Sequence, residues 1–167
     1  MPGQTTPALL QHVLDALAGL RARVLLTTGP VPPDALRAPA NAAVVAFAPH
    51  PAVLPEASLL ISHGGQGRVT AALAHGVPLL CIPGLGADQP VIARRVEALG
   101  AGKMISAGAE ASQLRDTAAQ VLTEASYRQA ARRLAGVLAN VDGAASAASV
   151  LESRLPIAGD QRPSRTG

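Results

Sequence analysis

Apolar residues along the chain alternate between helical spacing and short continuous runs. A helical stripe of Leu and Val residues predicts an amphipathic helix over residues 6–20. Five short apolar runs, bounded by Gly, Pro or polar residues, predict strands at residues 23–28, 43–47, 58–62, 78–82 and 103–105. Helical segments at residues 69–74 and 89–99 separate the later strands. Because continuous apolar strands separated by helices form parallel sheets covered on both faces, this order predicts an α/β, Rossmann-like doubly wound domain.

The pattern becomes purely helical after Ala109, which predicts two further amphipathic helices. Three arginines of the second helix, Arg128, Arg132 and Arg133, are interpreted as its solvated face and not as a nucleic-acid patch. Residues 156–167 are rich in Pro, Gly and Arg and offer little to bury, which predicts disorder. Residues 1–155 are therefore assigned to one domain.

The composition narrows the function classes. The chain has 167 residues, enough for one domain, and only 1% of them are aromatic. The two rings, Phe47 and Tyr127, cannot form the stacking platform that binds single-stranded nucleic acid, so a nucleic-acid partner is disfavoured. The single cysteine, Cys81, excludes an intramolecular disulfide and a cysteine-based zinc cluster. We predict neither a metal nor a cofactor.

The sequence also predicts that the protein does not enter a membrane. Its longest apolar runs fall far short of the roughly 20 residues that a membrane helix needs. The first residues contain no basic stretch followed by an apolar stretch, so no secretory signal is visible. We expect a cytoplasmic protein.

The turn after the third predicted strand is the first candidate site. Its residues are His63, Gly64, Gly65, Gln66, Gly67 and Arg68. A helix that opens on such a turn presents unpaired N–H groups and the positive end of its dipole, an arrangement that favours a phosphate. The alternative is a tight turn that needs glycine only for its dihedral angles. Thr70 replaces the third glycine of the dinucleotide fingerprint and no Gly-Lys-Ser/Thr sequence follows, so NAD binding and ATP hydrolysis are disfavoured.

A polar pair, Asp88 and Gln89, follows the next predicted strand. A carboxylate accepts hydrogen bonds from hydroxyls, and a carboxamide both donates and accepts them. Phosphate contacts combined with hydroxyl contacts suggest a nucleotide sugar. The alternative is that Asp88 only caps the helix that begins near Gln89.

Several motifs occur in an order and spacing that resemble a known family. They are His-Gly-Gly-Gln-Gly from His63, Ala-Leu-Ala-His-Gly-Val-Pro from Ala72, Pro83 with the Asp-Gln pair at Asp88, and Ala-Arg-Arg-Val from Ala93 with Gly-Ala-Gly from Gly100. Together they resemble the nucleotide-sugar half of GT-B-fold glycosyltransferases. The likeness is greatest to the inverting group that contains the antibiotic and macrolide glycosyltransferases, the plant secondary-product enzymes and the glucuronosyltransferases. It runs from about Gln4 to about Leu151.

The resemblance implies a function. The chain would be the donor-binding half of an enzyme that transfers a sugar from a UDP- or dTDP-sugar to a hydroxyl acceptor. His63 and residues 64–68 would hold the donor diphosphate, and Asp88 and Gln89 would bind the hydroxyls of the donor sugar.

The resemblance also implies a nucleoside site. At two positions, however, this sequence departs from the family pattern. Phe47 would stack on the base, whose edge the backbone near His50 would read; the alternative is that Phe47 is a core ring. Arg68 stands where the family usually has Ser or Thr, so its charge could pair with the diphosphate or its bulk could obstruct the site. Ala71 stands where many relatives carry a Glu that binds the ribose hydroxyls, which predicts tolerance of a dTDP-sugar.

Complete family members also have an N-terminal acceptor domain that supplies the catalytic base, and a central strand before the first helix. This chain has only five residues before its first helix, which predicts two half-sheets and no transfer by the isolated chain. Two alternatives stay open. The chain could be a split-glycosyltransferase subunit that uses a separate partner or self-association to fill the gap, or it could be a non-catalytic nucleotide-sugar-binding module.

Overall fold

The computed structural model describes residues 6–140 and 143–154, and this part of the chain has an α/β fold. Its strands are β1 (Val24–Thr27), β2 (Ala42–Val45), β3 (Leu60–Ser62), β4 (Leu79–Cys81) and β5 (Gly102–Met104). Its helices are α1 (Pro7–Leu17), α2 (His50–Val53), α3 (Gln66–Ala74), α4 (Gln89–Ala98), α5 (Ala111–Thr123), α6 (Ala125–Ala139) and α7 (Gly143–Arg154). The predicted strands and helices are confirmed, whereas α2 and α7 were not expected. The predicted disordered tail, residues 156–167, lies outside the described residues.

The strands form two separate parallel sheets. β1 pairs with β2, and β3, β4 and β5 form a three-stranded sheet with β4 in the middle. Within the described residues, no strand joins β1 to β3. The prediction of two half-sheets is thus confirmed for the described residues.

In the described part of the chain, β1 and β3 each have an outer edge whose backbone groups lack a strand partner. The N–H groups of Val24 and Thr28 donate across to β2, at 2.8 and 2.9 Å. Because successive residues of a parallel strand point to opposite edges, the N–H groups of Leu25 and Thr27 face away from β2. The same alternation points the N–H of Ile61 away from β4.

Helix α1 packs against both half-sheets. Its Leu10 and Leu14 belong to a cluster with side chains of β1 and β2, whereas its Val13 and Leu17 pack against β3 and β4. The helix begins at a capped end, where the Thr6 hydroxyl accepts a hydrogen bond from the Leu9 N–H at 3.2 Å. One apolar helix face therefore covers the two sheets together.

Strand β4 is buried on both faces and separates two layers of helices. Leu79 and Cys81 face the cluster formed with α3, α4 and α6, and Leu80 faces the cluster formed with α1 and α5. Burial raises the pKa of the Cys81 thiol to about 11. The cysteine is thus an apolar core residue.

The arginines of α6 differ in environment. Arg132 and Arg133 are exposed, as expected for a solvated face. Arg128 is half-buried, and its Nη2 donates a hydrogen bond to the Ala57 carbonyl oxygen at 3.2 Å. The solvated-face interpretation is therefore wrong for Arg128, because this side chain fastens α6 to the segment that leads into β3.

We predict that backbone amides in β1 exchange with solvent in an alternating pattern. The amide hydrogens of Leu25 and Thr27 should exchange much faster than those of Leu26 and Thr28, because only the latter pair donates to β2. Strand β4 is the internal control, since it is paired on both sides and its consecutive amides should be similarly protected. Residue-resolved hydrogen exchange measures this, and equal protection along β1 would show that another segment pairs with its open edge.

Gly64 offers a second test of the fold. It is buried, has φ +83°, and a Cβ there would lie 3.3 Å from the Gln89 carbonyl oxygen. Gly64→Ala should lower the free energy of unfolding by about 1–2 kcal/mol, the cost of left-handed backbone for an L residue. Gly67→Ala is the control, because a Cβ there meets no atom within 4 Å. Since alanine has a higher helix propensity than glycine, this substitution should leave the free energy of unfolding unchanged or raise it slightly. Urea unfolding measures both, and equal effects of the two substitutions would contradict the prediction.

Candidate functional site

The predicted site residues lie on three segments that follow β2, β3 and β4. The turn after β3 and the start of α4 meet, since the Gln89 carbonyl oxygen borders Gly64. Phe47 and His50 lie on the segment after β2. Within the described residues, no hydrogen bond or ion pair joins them to the other two segments.

The turn after β3 presents backbone donors. The Gly64 N–H donates to the Ser62 hydroxyl at 3.1 Å, and the Gly65 carbonyl accepts the first two bonds of α3. Gln66 and Gly67 occupy the first turn of α3 and are exposed. Their N–H groups have no acceptor within the helix, so they are available to an anion beside the positive end of the dipole.

The His63 ring lies over the N-terminus of α3. A Cβ at Gly65 would lie only 2.6 Å from the Nε2 atom of His63, although the φ of Gly65 is −64°. A side chain at position 65 would therefore displace the His63 ring, whereas at position 64 glycine is favoured by the positive φ. The explanation from dihedral angles alone therefore accounts for only one of these glycines.

The guanidinium of Arg68 lies beside the same ring, with its Nη1 atom 3.2 Å from Nδ1 of His63. Burial lowers the pKa of His63, the Arg68 charge lowers it further, and Asp88 opposes both effects. A pKa below the ordinary histidine value favours the neutral ring at neutral pH. Arg68 itself is exposed at the mouth of the turn.

Asp88 and Gln89 serve different purposes in the structure. Asp88 is the exposed N-cap residue of α4, yet its side chain makes no capping hydrogen bond, so the capping interpretation is wrong. Gln89 is only 3% exposed, and its Oε1 accepts a hydrogen bond from the Gly84 N–H at 2.8 Å. A sugar contact by Gln89 stays a prediction, and only its Nε2 group is free of this bond.

The ring of Phe47 is 79% exposed just beyond β2, so the interpretation as a core ring is wrong. His50 is half-buried at the first position of α2. Their assignment to the nucleobase stays a prediction.

Sequence reasoning missed an open cleft of about 510 Å³ between the start of α1 and the loop after β4. Its lining includes Leu9, His12, Pro83 and Leu85. His12 lies in the middle of α1 and is half-buried, with Nε2 at 2.9 Å from the Ala109 carbonyl oxygen. No sequence signal marks this cleft, because its two walls are far apart along the chain.

The described residues contain no cluster of three or more His, Cys, Asp or Glu side chains that could hold a metal ion. None of the helices in this part of the chain is long and apolar enough to cross a bilayer.

Comparison with protein families matches residues 11–149 to the erythromycin biosynthesis protein CIII-like C-terminal domain. UDP-glucosyltransferase B1 of Starmerella bombicola is 35% identical over 123 residues, which make up 73% of this chain and 28% of that protein. The chain thus spans under one third of the length of this relative.

Solved structures give the same result. CalG4, the calicheamicin glycosyltransferase, matches with a TM-score of 0.81 and 26% identity over 92% of this chain and 40% of that chain. Glycosyltransferase VinC in complex with dTDP matches with a TM-score of 0.77 and 26% identity over 86% of this chain and 36% of that chain. The resemblance carried by the motifs is confirmed: the protein belongs to the erythromycin biosynthesis protein CIII-like C-terminal domain family of GT-B glycosyltransferases.

Proposed function

We propose that this chain binds the donor in a glycosyltransferase that moves a sugar from a nucleotide-diphosphate sugar to a hydroxyl acceptor. The main support is the set of hydrogen-bond donors at the turn after β3, where the unpaired N–H groups of α3 lie beside His63 and Arg68. Asp88 follows at the start of α4, which borders the turn at Gly64, so a carboxylate that can accept hydrogen bonds from sugar hydroxyls lies on the neighbouring segment. Family membership supports the same assignment.

The chemistry follows from where charge develops. As the glycosidic bond breaks, negative charge grows on the leaving diphosphate, and donors already fixed at that point stabilise it without reorganisation. The N–H groups of Gln66 and Gly67 and the ring of His63 are such donors. Asp88 orients the sugar by accepting hydrogen bonds from its hydroxyls.

We expect the general base to come from the acceptor domain and not from the described histidines at positions 12 and 75. His12 is held against the Ala109 carbonyl, and His75 is the C-cap residue at the far end of α3 from the turn. We therefore expect the chain by itself to bind donor without transferring sugar. The acceptor domain, whether part of a longer polypeptide or a separate partner, would supply the base.

The nucleoside would lie at the end of β2, with its base against the exposed ring of Phe47 and its edge read by the backbone near His50. Ala71, on α3, offers no carboxylate to the ribose hydroxyls. We propose that the site accepts deoxyribose, as in a dTDP-sugar. The dTDP bound to the similar VinC is consistent with this preference.

We predict that the chain binds dTDP-glucose and that His63→Ala weakens binding by about ten-fold or more, because a hydrogen bond to a charged group contributes about 1.5–3 kcal/mol. His75→Ala is the matched control, since this exposed histidine lies at the opposite end of the same helix. Titration calorimetry measures the affinities. The donor-binding proposal fails if the unaltered chain binds no nucleotide sugar, and the role of His63 fails if both substitutions have the same effect.

A second prediction concerns the nucleoside. The unaltered chain should bind dTDP-glucose at least as tightly as UDP-glucose, and Ala71→Glu should shift the preference toward UDP-glucose by about ten-fold through a charged hydrogen bond to ribose. Ala71→Leu, which adds bulk without an acceptor, is the control for crowding on this half-buried face. Clearly tighter binding of UDP-glucose by the unaltered chain would refute the proposed tolerance.

A further inference from the structure

The contact between Arg68 and His63 determines where the imidazole carries its hydrogen. A guanidinium has five N–H donors, no acceptor, and stays protonated at every relevant pH. At 3.2 Å from Nη1, the Nδ1 atom of His63 must therefore be the acceptor. An imidazole that accepts at Nδ1 is neutral and carries its hydrogen on Nε2. The contact is incompatible with the doubly protonated ring.

The Nε2 atom lies where the anion would bind. It is the atom nearest to the position of a Cβ on Gly65, and Gly65 is the N-cap residue of α3. The Nε2–H group therefore lies beside the free N–H groups of the first turn. The two ring nitrogens have separate partners: Nδ1 faces Arg68 and Nε2 faces the end of the helix.

We propose that Arg68 is a positioning residue that holds His63 in the neutral Nε2–H form, with that hydrogen directed at the donor diphosphate. The inference rests on the proposed function for the identity of the ligand. Arg68 acts through His63. The Nε2–H group is therefore oriented before the ligand arrives, and binding does not incur the cost of orienting it. The arginine at this position thus serves the site and does not obstruct it.

The electrostatics agree with the geometry. The charged groups that face His63 are Arg68 on α3 and Asp88 at the start of α4, which act in opposite directions, and burial of the ring adds to the effect of Arg68. The pKa of His63 is thereby lowered in the folded protein. Stability from the neutral ring is therefore fully present above the ordinary histidine pKa of about 6.5 and is lost as the pH falls through the folded-state pKa.

The first arm of the test needs no ligand. Long-range ¹H–¹⁵N NMR spectra, assigned with His63→Ala, report the protonation of each ring nitrogen in the full chain. We expect a bare Nδ1 and a protonated Nε2 in the unaltered chain, and a raised pKa with loss of the single tautomer in Arg68→Ser. Arg133→Ser, which removes an exposed arginine of α6, should change neither property. An Arg68→Ser spectrum identical to that of the unaltered chain would overturn the proposal.

The second arm measures binding of dTDP-glucose between pH 5.5 and 8 by calorimetry, with Arg133→Ser again as control. A nucleotide sugar is used because its diphosphate is esterified at both ends and does not titrate in this range. We expect nearly constant affinity for the unaltered chain. Arg68→Ser should bind about ten-fold more weakly at pH 8 and recover as the pH falls through about 6.5, where the ring gains its own charge.

The outcomes separate the two proposals. If Arg68→Ser is weaker by the same factor at every pH, Arg68 contacts the phosphate by itself and the positioning role is refuted. If the unaltered chain binds no nucleotide sugar, the proposed function fails, and the NMR arm still decides whether Arg68 fixes the tautomer.

Discussion

Packing of α1 across two separate half-sheets is the interaction on which the rest of the structure depends. No backbone ladder in the described part of the chain joins β1 to β3, so hydrogen bonding does not hold the halves together there. Leu14 and Leu17 of α1 are buried against different halves. Each fully buried side chain of this size contributes about 1.5–3 kcal/mol, so a few apolar residues provide the cohesion that a central strand provides in a continuous sheet. The turn that carries His63 depends on that cohesion, because it follows the edge strand β3.

Much of the fold could be predicted from the sequence because buried parallel strands have a simple signature. The run that contains β4 is apolar throughout since it is covered on both faces, and the run that contains β3 is apolar for a similar reason. The turn after β3 was also predictable, since its glycines mark a position where the backbone changes direction. Helix α2 was not predicted, because four residues with a proline carry no periodic signal.

The side-chain contacts of the site could not be predicted from the sequence. The bond from Gly84 to Gln89, and the contact between Arg68 and His63, each depend on rotamers that only the assembled loop and helix determine. Arg128 shows the same limit, since it lies on a polar stripe yet bonds to a carbonyl 71 positions away. The helical pattern indicates that a side chain lies near the surface, but the conformation of a long side chain decides which group it contacts there.

The close contact between Gly64 and the first turn of α4 limits how far the turn after β3 can move relative to the start of α4. A Cβ on Gly64 would lie 3.3 Å from the Gln89 carbonyl oxygen, so an added methyl group would push the turn after β3 and the start of α4 apart by a few tenths of an ångström. Under the proposed function, exchange of an exposed side chain such as Asp88 would change which sugar hydroxyls are bound and would leave this backbone contact as it is. A change in the bound sugar would then need substitutions only at exposed positions, because the backbone contact at Gly64 does not involve them.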